Sequence, residues 1–226
     1  KNLKKIGRKS IETEPYAKYM IRPISVYFTW LIVRTPLSAN NVTFLQIIVG
    51  SCGAVFLAFP GGYLPLYGVI LIQISYILDC VDGEVARWKK IESKSGEYLD
   101  LICHTVVVSL YMFCFGYGLW SMNFQNAVIF GAVASLCTFK IDDYAYLKVS
   151  TKNTEESNSL YESGLVKFFA FYRFPSSMNF LTISILYDYY INGQYGILSY
   201  TLLVAFCITL VLGRIVQILN SFYKLK

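Results

Sequence analysis

Six apolar stretches divide this chain of 226 residues, at about 42–60, 63–88, 96–119, 124–147, 165–189 and 195–222. Each is near the ~20 residues that an α-helix needs to cross the hydrocarbon of a bilayer. Inside lipid the backbone must satisfy its own hydrogen bonds, so stretches of this length are spanning helices rather than open sheet. With 55% hydrophobic residues, 15% charged, 19 Tyr and 16 Phe, the chain is too apolar and too aromatic for an ordinary soluble domain. The expected class is all-α integral membrane: six transmembrane helices preceded by an N-terminal interfacial amphipathic helix.

Charge orients that layout. The 20 Lys and Arg fall in the N-terminal segment, the 87–94 turn, the 140–173 region, and the last helix and tail. The loops near 60–63, 119–125 and 188–195 hold none. This positive-inside pattern places both termini and the 87–94 turn on the cytoplasmic side of the cell membrane. The net charge of +6 reads as topology and attraction to anionic lipid, not as a nucleic-acid surface.

Residues 1–20 read as a basic cytoplasmic lead-in or linker. The chain begins at Lys1 rather than Met, which fits a piece of a longer protein. Residues 21–35 are apolar but short, bracketed by Arg22 and Arg34, and suit a helix lying in the interface with its arginines reaching headgroups; a partial span is the alternative. Pro36 breaks the chain, and Asn40 is expected to cap the first helix of a six-helix transmembrane domain spanning 42–222. Pro60-Gly61-Gly62 marks an outer turn, and 150–163 a mobile cytoplasmic loop. Trp120, Tyr187, Tyr189, Tyr190 and Tyr195 suit an aromatic belt at the outer ends. The six cysteines all lie in apolar stretches and read as small hydrophobes.

Acidic residues stand where two of these apolar stretches meet, and charges in such places are expensive to keep. Asp79, Asp82 and Ala86 recur at i, i+3 and i+7 on one helix face; Gly96, Asp100 and His104 recur at i, i+4 and i+8 on the next. Where the faces meet, the carboxylates of Asp79, Asp82 and Asp100 converge, a donor set suited to a hard divalent cation. Such an ion clamps a diphosphate and steadies charge on a leaving phosphate. Arg87 offers a phosphate a hydrogen-bonding fork. Gly83, Ala86 and Gly96 are small, which admits either a flat ligand or a close helix neighbour. From the residues alone the reading is metal-dependent phosphate chemistry at the cytoplasmic membrane surface.

The spacing Asp-x2-Asp-Gly-x2-Ala-Arg-x8-Gly-x3-Asp-x3-(Asp) resembles the signature of the CDP-alcohol phosphotransferase (CDP-alcohol phosphatidyltransferase) family. It matches at every position but the last, where this chain has His104. Ser38-Ala39-Asn40-Asn41-Val42-Thr43 is similar to the family's Thr-Pro-Asn-x-x-Thr. The resemblance implies an enzyme that passes the phospho-alcohol of a CDP-linked alcohol to a hydroxyl acceptor and releases CMP. It implies Asp79, Asp82 and Asp100 as ligands of Mg²⁺ or Mn²⁺. Asp82, Gly83, Ala86 and Gly96 would line a cytidine pocket, with Asn40 and Thr43 near the nucleotide. It further implies a homodimer with an interfacial N-terminal helix. Either a CDP-lipid or a CDP-activated polar headgroup fits as donor, and the inositol-phosphate branch has the most similar motif surroundings.

His104 departs from the pattern, at a position where the family's aspartate is thought to hold metal and deprotonate the acceptor. A base, with Asp100 beside it, is the favoured role; a metal ligand, a substrate contact and a loss of catalysis stay open. Arg173 is a candidate for an acceptor phosphate, while Arg214, Lys140 and Lys148 carry weaker signals. Asp142 and Asp143, near Tyr144, read as structural, and Glu84 and Glu97 as solvated or salt-bridged. Two other readings remain: a cation-coupled transporter, which predicts mid-membrane carboxylates on broken helices, and a catalytically impaired family member acting as a scaffold.

Overall fold

The computed structural model describes residues 16–138 and 176–224, the side chains of 176–177, 217–218 and 220–224 excepted. Every regular element among the described residues is helical. A π-type turn at Ala17–Ile21 leads into α1 (Arg22–Ile32), α2 (Ala39–Leu57), α3 (Leu64–Lys89), α4 (Lys94–Ser121), α5 (Ala127–Thr138), α6 (Ser176–Asn192) and α7 (Ile197–Lys224). Among the described residues, four helices are long and apolar enough to span a bilayer: Ala39–Leu57, Leu64–Lys89, Lys94–Ser121 and Ile197–Val216. The expected spans at 124–147 and 165–189 fall partly outside the described residues. So do the lead-in up to residue 15, the 150–163 loop, and Lys140, Asp142, Asp143, Tyr144, Lys148 and Arg173.

Small residues let the helices touch backbone to backbone, which is how helices pack where lipid supplies no hydrophobic drive. A Cβ on Gly53 of α2 would stand 2.9 Å from the Gly68 carbonyl of α3, and one on Gly116 of α4 would stand 2.8 Å from Gly131 Cα of α5. The largest core cluster includes Leu57, Ile72, Tyr111, Phe115, Leu181 and Leu203. It joins all six helices from α2 to α7.

α1 runs parallel to the second half of α3. Tyr16 Oη donates to Gln73 Oε1 at 2.8 Å, Thr29 Oγ1 to Glu84 Oε2 at 2.6 Å, and Lys89 Nζ to the Thr35 and Leu37 carbonyls at 3.0 and 2.7 Å. Its outer face is apolar and exposed at Tyr27, Trp30 and Leu31.

Several expectations are corrected. The cap of α2 is Ser38, not Asn40: Ser38 Oγ accepts from Asn41 N at 3.3 Å. Both residue types cap well, and the helix begins two positions earlier than an Asn40 cap allows. Tyr189 and Tyr195 do not face outward with Trp120, Tyr187 and Tyr190; they are buried and donate to the Pro60 and Leu57 carbonyls. Of the two roles expected for Glu84, solvated or salt-bridged, the structure shows the second: it is 1% exposed and paired with Arg22. Arg22 therefore turns inward, while Arg34 stacks 3.4 Å from the centre of the Trp30 ring. Arg214 forms an inter-helix bond, its Nε donating to the Cys137 carbonyl at 2.7 Å. Cys80, Cys103, Cys114 and Cys207 are buried, Cys137 is half-buried and Cys52 is exposed.

Candidate functional site

The site is built where α3 ends and α4 begins. α3 stops at Lys90, which takes a left-handed conformation (φ 55°), and the chain closes with Ile91 N donating to the Ala86 carbonyl at 3.0 Å. Such a turn satisfies the last carbonyls of a helix and reverses the chain. Ser93 then caps α4, its Oγ accepting from Gly96 N at 3.1 Å. The short reversal brings the early turns of α4 back toward the late turns of α3, and both helices pack on α2, so the two acidic faces look into one space. Both helices run unbroken through the motif, unlike the broken helices a transporter site predicts.

His104 Nε2 lies 3.0 Å from Asp79 Oδ1 and 3.4 Å from Asp100 Oδ1. One ligand atom from each of Asp79, Asp100 and His104 falls within 4.8 Å of the others. Two carboxylate oxygens and an imidazole nitrogen within reach of one point fit a divalent cation of the Mg²⁺ or Mn²⁺ kind. The Asp79 side chain is 16% exposed and that of Asp100 46%, so the space opens on the Asp100 side.

Asp82 is placed differently. It is 7% exposed, and its Oδ2 accepts from Thr43 Oγ1 at 2.6 Å, so the carboxylate leans on α2. Asp82 and Thr43 are thereby brought together, while the cluster of possible ligands is Asp79, Asp100 and His104. Asn40 is exposed at the head of α2 and adjoins Gly96, where an added Cβ would lie 3.5 Å from Asn40 Oδ1. Arg87 folds back over Gly83, its Nη1 3.2 Å from where a Cβ would stand. Ala86 packs against the apolar seam of Ala39, Val42, Leu78, Val81 and Val85 between α2 and α3.

Sequence reasoning missed Gln46. It is 2% exposed, and its Nε2 donates to Asp79 Oδ1 at 3.1 Å. The signal was present: Gln46 follows Thr43 by three positions, which puts two polar side chains on one helix face, the same kind of spacing that singled out Asp79 and Asp82.

Residues 37–155 match the profile of the CDP-alcohol phosphatidyltransferase family. A 91-residue stretch is 36% identical to a protein of Archaeoglobus fulgidus described as a bifunctional IPC transferase and DIPP synthase. That match covers 40% of this chain and 18% of the relative. Among solved structures, the fold resembles the phosphatidylinositol phosphate synthase of Mycobacterium tuberculosis with CDP-DAG bound (TM-score 0.66, 13% identity, 88% of this chain and 94% of that one). It also resembles the same synthase in complex with manganese and citrate (TM-score 0.63, 14% identity, 88% of each chain). At these identities the structural likeness is one of fold. The profile, however, covers more than half of the chain and contains both sequence motifs, and the chain therefore belongs to the CDP-alcohol phosphatidyltransferase family.

Proposed function

We propose that this protein is a membrane transferase that moves a phospho-alcohol group from a CDP-linked alcohol to a hydroxyl acceptor, with release of CMP, in the synthesis of phospholipids or related headgroups. The convergence of Asp79, Asp100 and His104 Nε2 within 4.8 Å, inside the segment that matches the family, carries the proposal. Asp79, Asp82 and Asp100 would hold Mg²⁺ or Mn²⁺, which supplies charge neutralisation on the diphosphate. Asp82, fixed by Thr43, lines the nucleotide side of the site with Gly83, Ala86, Gly96 and Asn40. Arg87 binds a phosphate oxygen. The acceptor oxygen forms a bond to the phosphorus that bears the alcohol, the bond from that phosphorus to the CMP oxygen breaks, and the hydroxyl proton passes to His104.

The same reading makes α2 to α7 six spanning helices of a catalytic domain over 42–222. Both termini and the motif face the cytoplasm across the cell membrane, and the active form is a homodimer. Residues 1–20 form the basic lead-in, and α1, within 21–35, belongs to the interface.

The test is CMP release by the purified protein in detergent, with Mg²⁺ or Mn²⁺ and after chelation. CDP-diacylglycerol and CDP-activated polar alcohols are offered separately, each with hydroxyl acceptors. Metal-dependent CMP formation with one donor class confirms the activity and fixes the direction of transfer. Absence of nucleotide binding by a folded preparation overturns it.

A further inference from the structure

Glu84 stands two positions after Asp82, inside the motif, yet faces away from the site. Two residues along an α-helix is a turn of about 200°, so side chains at these positions leave opposite faces. Asp82 leaves α3 toward α2 and meets Thr43. Glu84 leaves it toward α1 and meets three donors there. Ser25 Oγ donates to Oε1 at 2.8 Å, Arg22 Nη1 to Oε1 at 3.1 Å, and Thr29 Oγ1 to Oε2 at 2.6 Å. Ser25 is 0% exposed, while Thr29 and Glu84 are each 1% exposed. Arg22, Ser25 and Thr29 recur at i, i+3 and i+7, the stripe that one helix presents to a neighbour. A buried carboxylate with three donors is firmly held, and losing a donor there costs more than at a surface.

We propose that Glu84 is a positioning residue, and that the Arg22–Ser25–Thr29 stripe of α1 sets the rotation of α3 and so the aim of Asp79 and Asp82. The inference rests on the reading of the site given above and adds a part to it. A single stretch of chain grips α3 from two sides: α1 holds Glu84, the following segment holds Lys89 through the Thr35 and Leu37 carbonyls, and α2 holds Asp82 through Thr43. Rotating α3 to bring its carboxylates out of line breaks the bonds on the α1 side and the α2 side together. α1 is thereby part of the site without touching it, and a shift of α1 along α3 would be felt at Asp79.

The readout is Mn²⁺ binding by the purified full chain, measured calorimetrically beside a thermal unfolding scan, with no turnover required. Glu84→Gln removes the charge but keeps the size, and should weaken Mn²⁺ binding by about tenfold, the scale found when partners behind a metal site are removed. A milder double variant, Ser25→Ala with Thr29→Val, leaves Arg22 on Glu84 and should weaken binding by about threefold, below the lower end of that scale because one donor remains. It decides the matter alone if the Glu84 variant does not fold. Lower melting temperatures with Mn²⁺ affinity unchanged would reduce the stripe to a structural anchor and overturn the inference. Binding by the wild type without CMP release overturns the transferase reading and leaves the coupling measurable; no binding by the wild type overturns both.

Discussion

Asp188 and Asp79 are both carboxylates inside an apolar helix bundle, near opposite ends of α2, and they are held in different ways. Asp188 is 3% exposed, and its Oδ2 accepts from Gly196 N at 3.0 Å and Ser199 N at 2.8 Å, so it caps α7 from across the turn. Around it Tyr189 and Tyr195 close the Pro60 and Leu57 carbonyls. Each polar group there answers a backbone group freed at a helix end or in the turn between α2 and α3. Asp79 instead shares the neighbourhood of Asp100 and His104, all three side chains partly exposed. Carboxylates gathered in one place repel one another, and an arrangement that keeps them together serves a cation or a proton rather than the fold. The lesson is that burial of a charge does not mark a function; convergence of like charges with room beside them does.

The strongest way to break this comparison is Asp100→Asn. If the open end is the reactive one, metal-dependent CMP release falls by about a thousandfold, the scale of losing a charge-stabilising group at a reacting centre. The melting temperature of the variant should hold or rise, because one like charge has been removed from the cluster. Normal turnover in a metal-replete assay would remove Asp100 from the ligand set.

His104 sharpens the same end. His104→Ala should lower turnover by about a hundredfold, within the range of a lost general base. His104→Asp restores the residue that the family signature carries, and should keep turnover within about tenfold of the parent, since a carboxylate also serves as a base there. A full rate for the alanine variant would show that the acceptor proton goes elsewhere.

Much of this organisation was legible in the chain. The stretches read at 63–88, 96–119 and 195–222 became α3 (Leu64–Lys89), α4 (Lys94–Ser121) and α7 (Ile197–Lys224), because bilayer-length apolar runs leave the backbone one solution. Helical spacing also put Asp79 within reach of Asp100 and His104. It gave no means of knowing that Thr43 would draw Asp82 toward α2, since a spacing says which face a residue shares and not which neighbour reaches it first. Glu84 was legible as off the acidic face but not as buried, because the docking of α1 alongside α3 depends on contacts distant in sequence. Tyrosine alone does not say whether its ring meets lipid or its hydroxyl meets a carbonyl; Tyr187 and Tyr189 stand two positions apart and differ on that point.

At the closed end the expected effects are smaller and fall on stability. Asp188→Ala leaves two backbone amides of the α7 turn without their acceptor and should cost about 2 kcal/mol, the upper range for a lost helix cap. The fall should show as a lower melting temperature with CMP release per folded molecule unchanged. Loss of turnover with an unaltered melting temperature would erase the distinction between the two ends.

Tyr195→Phe is the finest probe. The ring sits in the core, edge-on to Phe115 at 5.5 Å and to Tyr189 at 5.6 Å between centroids, and phenylalanine fills the same space. Only the bond from the hydroxyl to the Leu57 carbonyl, at 2.8 Å, is lost. That carbonyl belongs to the last turn of α2, where no following amide reaches it in the helix. Removing its donor leaves a buried acceptor unsatisfied at about 1 kcal/mol. A Cβ on Gly118 would stand 2.2 Å from the same oxygen, so α4 crosses α2 at this carbonyl. The hydroxyl therefore fixes a crossing point as well as a bond. A small drop in melting temperature with unchanged Mn²⁺ affinity is the expected result, because the crossing lies at the far end of α2 from Thr43. A weakened Mn²⁺ site in this variant would mean that α2 carries displacement along its length, and that the two ends are one mechanical unit after all.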